Sequence, residues 1–184
     1  MNKKFKERVD KCYRHGKKIE FVFKECAINS GIDCFVTTPE EDINEHLDVR
    51  INKPPEINNW YLDVKSRKPD AEEIDCTWVE LKNVGFEDGW LYAPKLKAIA
   101  FQIDNEFWIV DIVKLRELVE INLKSGYYFG SSGKKLLINN RKYYTKYQRT
   151  GRGDEIVLVP LKDIEPYIIM KLNIEYEKIN CLRL

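Results

Sequence analysis

What this chain has little of narrows the field first. None of its apolar runs approaches the roughly 18 residues needed to cross a bilayer. Its opening, MNKKFKERVDK, lacks the apolar core of a signal peptide, so a cytoplasmic protein is expected. There are only two histidines, His15 and His46, and no two of the five cysteines form a CxxC pair. A structural zinc site is therefore not expected, and the thiols of Cys12, Cys26, Cys34, Cys76 and Cys181 are expected to be reduced and mostly buried. No GxGxxG and no phosphate-binding loop follows any strand pattern, which argues against a nucleotide-binding α/β fold. Net charge is also scarce, at +1 on 184 residues, so this is not a globally basic nucleic-acid binder.

What is present is a soluble, mixed pattern with 43% hydrophobic and 33% charged residues, enough chain for one domain with its own core. Residues 2–30 read as helix, with Phe5, Val9, Cys12, Ile19, Val22, Phe23 and Cys26 at steps of three and four, a break at Gly16 and a stop at Asn29-Ser30-Gly31. Alternation predicts strands at 34–36, at 46–51 (HLDVRI), at 60–65 (WYLDVK) and at 76–84 (CTWVELKNV). A 52–59 loop follows the HLDVRI strand. KAIAFQI and EFWIVDI read as a hairpin turning at Asp104-Asn105. A helix over 114–124 places Leu115, Leu118, Val119 and Ile121 on one face. YYFGSSG reads as a connection, 134–147 as a hairpin turning at Asn139-Asn140, and DEIVLVP as a strand. The tail 167–179 stays open between strand and helix. The expected architecture is α/β: a central mixed sheet flanked by helices, with a core over about 1–125 and a C-terminal β-rich extension over about 126–184.

The chemistry concentrates in two strands. Side chains alternate across a strand, so Trp60, Leu62 and Val64 face one way and Tyr61, Asp63 and Lys65 the other. Asp48 lies on the polar face of the preceding strand. If the two pair, Asp48, Asp63 and Lys65 converge. Two adjacent carboxylates repel and call for a cation, and hard oxygen donors suit Mg²⁺ or Mn²⁺. A Lewis acid, two acids and an ammonium are the parts that phosphodiester hydrolysis needs.

Asp48 followed by Asp63-Val64-Lys65 resembles the signature of the PD-(D/E)XK nuclease superfamily, of restriction-endonuclease-like fold. An upstream helix bearing a glutamate agrees with it, with Glu20 the candidate and Glu25 nearly as well placed. The segment from Thr77 to Asp111 is similar to the stretch after the catalytic strand in phage and bacterial members, and residues 147–164 are more faintly so. Leu47 stands where the family usually carries proline. The resemblance covers roughly residues 15–120. It implies a Mg²⁺- or Mn²⁺-dependent DNA endonuclease in which Asp48 and Asp63 hold the ion, Lys65 assists the attacking water and Glu20 helps hold the ion or its water. It leaves a homodimer open, since double-strand cutters often pair two sites. The alternative is a nuclease fold without activity that binds nucleic acid or another protein.

A second acid-x-lysine pair, Glu80 and Lys82, competes for the same role. The first set is preferred because it leaves the helix-borne glutamate upstream, with Glu80 lining the site from the third strand as a further metal ligand. Between Gly133 and Gly153 stand seven lysines and arginines and no acid. Lys68, Lys142, Lys146, Arg149 and Arg152 are the candidate phosphate contacts. Tyr127, Tyr128, Tyr143, Tyr144 and Tyr147 either stack on bases or pack on the domain. Trp60, Trp78, Trp90 and Trp108 read as core.

Overall fold

A computed structural model describes residues 3–66, 75–130, 143–149, 152–175, 177 and 179; the side chains of 3–12, 127–130 and 149 are not described. The chain is mixed α/β. Its described elements run α1 (Lys3–Asn29), β1 (Asp33–Val36), α2 (Pro39–Glu45), β2 (Val49–Lys53), β3 (Ile57–Lys65), β4 (Cys76–Lys82), β5 (Leu96–Ile103), β6 (Glu106–Asp111), α3 (Ile112–Asn122), β7 (Tyr127–Gly130), β8 (Lys146–Arg149), β9 (Glu155–Pro160), α4 (Leu161–Ile164) and β10 (Ile168–Asn173). None of the described helices is long and apolar enough to cross a membrane.

The contacts divide the chain into two units that interleave in sequence. The first comprises residues 1–66, 96–109 and 170–184; the second comprises 67–95 and 110–169.

The first unit is built on a six-stranded sheet ordered β1-β2-β3-β5-β6-β10. β1, β2 and β3 pair antiparallel, and β3 pairs parallel with β5. Helix α1 lays Ile19, Val22, Phe23, Cys26 and Ala27 into the core with Val49, Ile51, Leu62, Val64, Ala98, Ala100 and Phe107. Phe23 meets Phe107 edge to face at 5.1 Å. Each such valine, leucine, isoleucine or phenylalanine contributes about 1.5–3 kcal/mol by leaving water. Gly16 does not break α1, contrary to the sequence expectation, because the buried stripe outweighs the modest cost of one glycine. The stop at Gly31 holds. That residue takes φ +73°, its N–H reaches Ile28 O, and Ile32 N–H reaches Ala27 O, a Schellman-type end. The expected 52–59 loop is shorter than predicted. β2 runs to Lys53 and β3 starts at Ile57, with Asn59 N–H donating back to Asn52 Oδ1.

The second unit holds a four-stranded sheet ordered β4-β9-β8-β7. Cys76, Tyr147 and Leu158 are buried there with Trp78, Tyr143 and Ile156 packed against them. β4 therefore does not extend the meander after β3, as the sequence suggested: the place beside β3 is taken by β5, and β4 pairs with β9. The YYFG stretch is strand β7, paired with β8, not a mere connection. The tail resolves into β10. On α3, Ile112, Leu115 and Val119 are buried, but Ile121 is 83% exposed and does not belong to the buried face. Of the four tryptophans, Trp90 is buried and the other three are half-buried. The hairpin expected at Asn139-Asn140 lies outside the described residues.

Candidate active site

Asp63 sits near the end of β3, in the interior of the six-stranded sheet. Leu62, Asp63 and Val64 are all buried, so both faces of this strand are covered. The polar face read from alternation is not a solvated one. On β5 the register partners of Asp63 and Lys65 are Ile99 and Phe101, both buried. A carboxylate placed here loses its hydration and needs compensation. Lys65 Nζ supplies some, 2.6 Å from Asp63 Oδ1. Two residues apart on a strand, the two side chains share a face, as the pattern required. Asp63 Oδ2 is buried with no hydrogen-bond partner among the described residues.

Asp48 arrives one residue before β2, not within it. Its N–H donates to Leu62 O at 2.9 Å, so it is still held in register beside β3. Its carboxylate bends onto the strand, where Oδ2 accepts the Val64 N–H at 2.7 Å. Thr37 clamps the same segment from outside: its N–H donates to Asp48 O, and its Oγ1 contacts Leu47 O and Asp48 O. Burial, then the neighbouring Asp63 carboxyl, push the Asp48 carboxyl up to about 8, against the pull of Lys65 and the Val64 N–H. The pair thus resists carrying two negative charges at once.

Glu20 joins this pair from α1. It is buried, and burial followed by the charge of Asp48 raises its carboxyl above the ordinary range, opposed by Lys17. Lys17 Nζ lies 2.7 Å from Glu20 Oε2 and 2.7 Å from Asp42 Oδ2 on α2. Asp48, Asp63 and Lys65 thus come together in one unit, and Glu20 of the same unit feels the charge of Asp48.

Two of the nearby contacts escaped the sequence reading. Lys17 to Asp42 spans 25 positions, and His15 Nε2 to Ser66 Oγ, at 3.1 Å, spans 51. Nothing local in the sequence marks either one. The only available signal is that α1 must lie along the sheet, which brings its middle turns near the end of β3.

Glu80, the further metal ligand expected from the third strand, belongs to the second unit. It lies on β4 in the other sheet, because β4 pairs with β9. Its partner in the motif, Lys82, sits 3.6 Å from Glu155 across the strands. Of the candidate phosphate contacts, Lys68 and Lys142 lie outside the described residues, as does the side chain of Arg149. Lys146 is 3.3 Å from Glu155, so its charge is partly met within the protein, and Arg152 is exposed. Tyr144 and Tyr147 are buried, and Tyr144 donates its hydroxyl to Asp163 at 2.8 Å. These two pack in the protein and do not offer faces to bases. Cys26, Cys34 and Cys76 are buried and not joined in a disulfide among the described residues, and burial above all pushes the Cys26 and Cys34 thiols up to about 11 and 12.

Among the described residues no group of three or more His, Cys, Asp or Glu side chains is arranged to hold an ion. Two neighbouring carboxylates could still offer oxygens to a hard cation such as Mg²⁺ or Mn²⁺. Mg²⁺ keeps several of its waters and usually takes only one or two protein carboxylates. The carboxyls of Asp63 and Asp48 are the two groups such an ion would use. No family model, no curated protein and no solved structure matches this chain.

Proposed function

We propose that this chain is a Mg²⁺-dependent deoxyribonuclease with a PD-(D/E)XK-type site on a restriction-endonuclease-like fold. The single observation that carries the reading is the convergence of the buried Asp48 and Asp63 with Lys65 at the end of β3, with Glu20 of the first helix feeling the charge of Asp48. A solvated strand face would carry the same letters but would leave the acids in water.

Each residue has a distinct task. Asp48 and Asp63 present carboxylate oxygens to a divalent ion, which when bound supplies Lewis-acid activation of the scissile phosphate. Asp48 is fixed by the Val64 N–H, which costs no reorganisation when substrate arrives. Lys65 is tethered by Asp63, yet its side chain is 37% exposed, so the ammonium faces both the acid and the solvent side. There it orients the attacking water and answers the charge that grows on the phosphate. Glu20 extends the acidic wall and accepts a hydrogen bond from that water. The surrounding apolar residues, Ile99 and Phe101 among them, lower the local dielectric and strengthen each of these interactions.

The test is a cleavage assay on supercoiled, linear, branched and single-stranded DNA with Mg²⁺, with Mn²⁺ and with EDTA. The reading expects metal-dependent, EDTA-sensitive cleavage of at least one of these substrates, lost in Asp63→Ala and Lys65→Ala proteins that keep the wild-type circular dichroism. Salt-sensitive binding without turnover would instead make the chain a nucleic-acid binder that keeps the fold.

A further inference from the structure

Lys17 touches neither Asp48 nor Asp63, yet it connects the two segments that bring acids to the site. From α1 it reaches Glu20, one turn on, at 2.7 Å, and across to Asp42 of α2, also at 2.7 Å. α2 is itself a fixed post. Thr38 caps it with a complete capping box, its side chain accepting the Glu41 N–H and its N–H donating to Glu41 Oε2. The helix ends at His46, which adopts the left-handed conformation at φ 56°, and the chain passes through Leu47 directly into Asp48. Glu20 and Asp48 therefore belong to two different pieces of chain, and Lys17 spans both.

We infer that Lys17 is a positioning residue: by bridging Glu20 to Asp42 it holds the Glu20 carboxylate toward the acid pair and sets the spacing between α1 and the segment that delivers Asp48. This rests on the nuclease reading of the site. Stability alone is a poor reason for such a bridge. With the Glu20 side chain only 10% exposed, the cost of taking the carboxylate out of water offsets much of the Coulomb gain, and a lysine has considerable rotamer entropy to lose on being held. The geometric yield is larger. A buried glutamate repelled by Asp48 and Asp42 can rotate away from them, and Lys17 opposes that rotation.

The experiment is a double-mutant cycle of Lys17→Met and Glu20→Gln, read by kcat and KM for DNA cleavage and, independently, by Mn²⁺ affinity of the DNA-free protein from electron paramagnetic resonance. Circular dichroism and Tm confirm folding of each variant. Lys17→Met is expected to lower kcat by roughly ten- to a hundredfold, the usual cost of losing a group that orients a ligand, with KM changed less than about twofold. Lys17→Arg is expected to recover most of the loss. In the Glu20→Gln background the Lys17→Met change is expected to have no further effect on kcat or Mn²⁺ affinity, because Lys17 acts through Glu20. Additive effects, or a loss confined to KM that grows with salt, would overturn the inference and make Lys17 a phosphate contact or a simple counter-charge. A wild-type protein with neither cleavage nor Mn²⁺ binding would overturn the nuclease reading itself, and this inference with it.

Discussion

The chain writes the same three-residue phrase twice, acid-x-lysine on a strand, and its two sheets treat the two copies differently. On β3, Asp63 is fully buried, has an orphaned oxygen and lies beside a second buried acid. On β4, Glu80 is half-buried, and Lys82, 44% exposed, turns to Glu155 on the neighbouring strand. The letters are equivalent and the alternation equally good. Surroundings separate a candidate site from a cross-strand ion pair: apolar neighbours that remove water, and a second carboxylate that resists a second negative charge. Buried, mutually repelling acids are where perturbed ionisation marks function.

The largest effects should break this comparison most sharply. Asp63→Asn is expected to reduce Mg²⁺-dependent cleavage by about a hundredfold or more, on the scale of removing a preorganised electrostatic group. Glu80→Gln is expected to stay within about threefold, as is usual for a residue outside the chemistry. Steady-state kinetics on one cleaved substrate checks both. Lys65→Met should lose roughly a hundred- to ten-thousandfold, the range of a group that handles protons or water in the transition state, while Lys82→Met should be nearly silent.

Next comes the response to pH. In the metal-free protein the folded Asp48 keeps its proton until about pH 8, whereas the unfolded chain releases it near the ordinary value of 3.8. Between those values the folded state binds more protons than the unfolded state, so stability falls as pH rises. This contribution is fully present below about pH 4 and is lost by the time pH has passed 8. Glu20, also raised, adds to the same slope. Thermal melts from pH 4 to 9 should show a falling Tm that Asp48→Asn flattens, and saturating Mg²⁺ should raise Tm more at high pH than at low. A Tm that rises across the range in both metal-free proteins would contradict the burial of this charge.

The smallest effects concern the frames of the two regions. A Cβ on Gly89 would meet the backbone of Glu80 at 2.6 Å, so Gly89→Ala should cost about 1–3 kcal/mol, as overpacking does. Gly16, inside α1, has no atom within 4 Å of such a Cβ beyond its chain neighbours and its own helix backbone. Gly16→Ala should stabilise by about 0.5–1 kcal/mol. Denaturant titrations measure both, and together they separate a glycine that packing requires from one that helix α1 merely tolerates.

Much of this was readable before any coordinates. The stripe on α1, the stop at Gly31 and the alternation that put Asp63 and Lys65 on one face are local, and local patterns survive folding. The pairing of β2 with β3 followed from their proximity in sequence. What could not be read was non-local. The choice of β5 over β4 as the neighbour of β3 depends on pairing across some thirty residues, and it moved Glu80 into the other sheet. The burial of Asp63 was hidden because alternation distinguishes two faces of a strand but not whether both are covered. Lys17 with Asp42, and His15 with Ser66, meet only because helix and sheet pack. Ile121 and the two buried tyrosines show the converse: periodicity and composition name candidates for a face, and packing decides which of them it covers.

The most direct measurement is a crystal of the protein grown or soaked with Mn²⁺, with anomalous diffraction collected at the manganese edge. The account predicts a peak within coordination distance of the carboxylates of Asp48 and Asp63, absent from Asp63→Asn crystals. A strong peak beside Glu80 and none between residues 48 and 63, in crystals saturated with the ion, would contradict it.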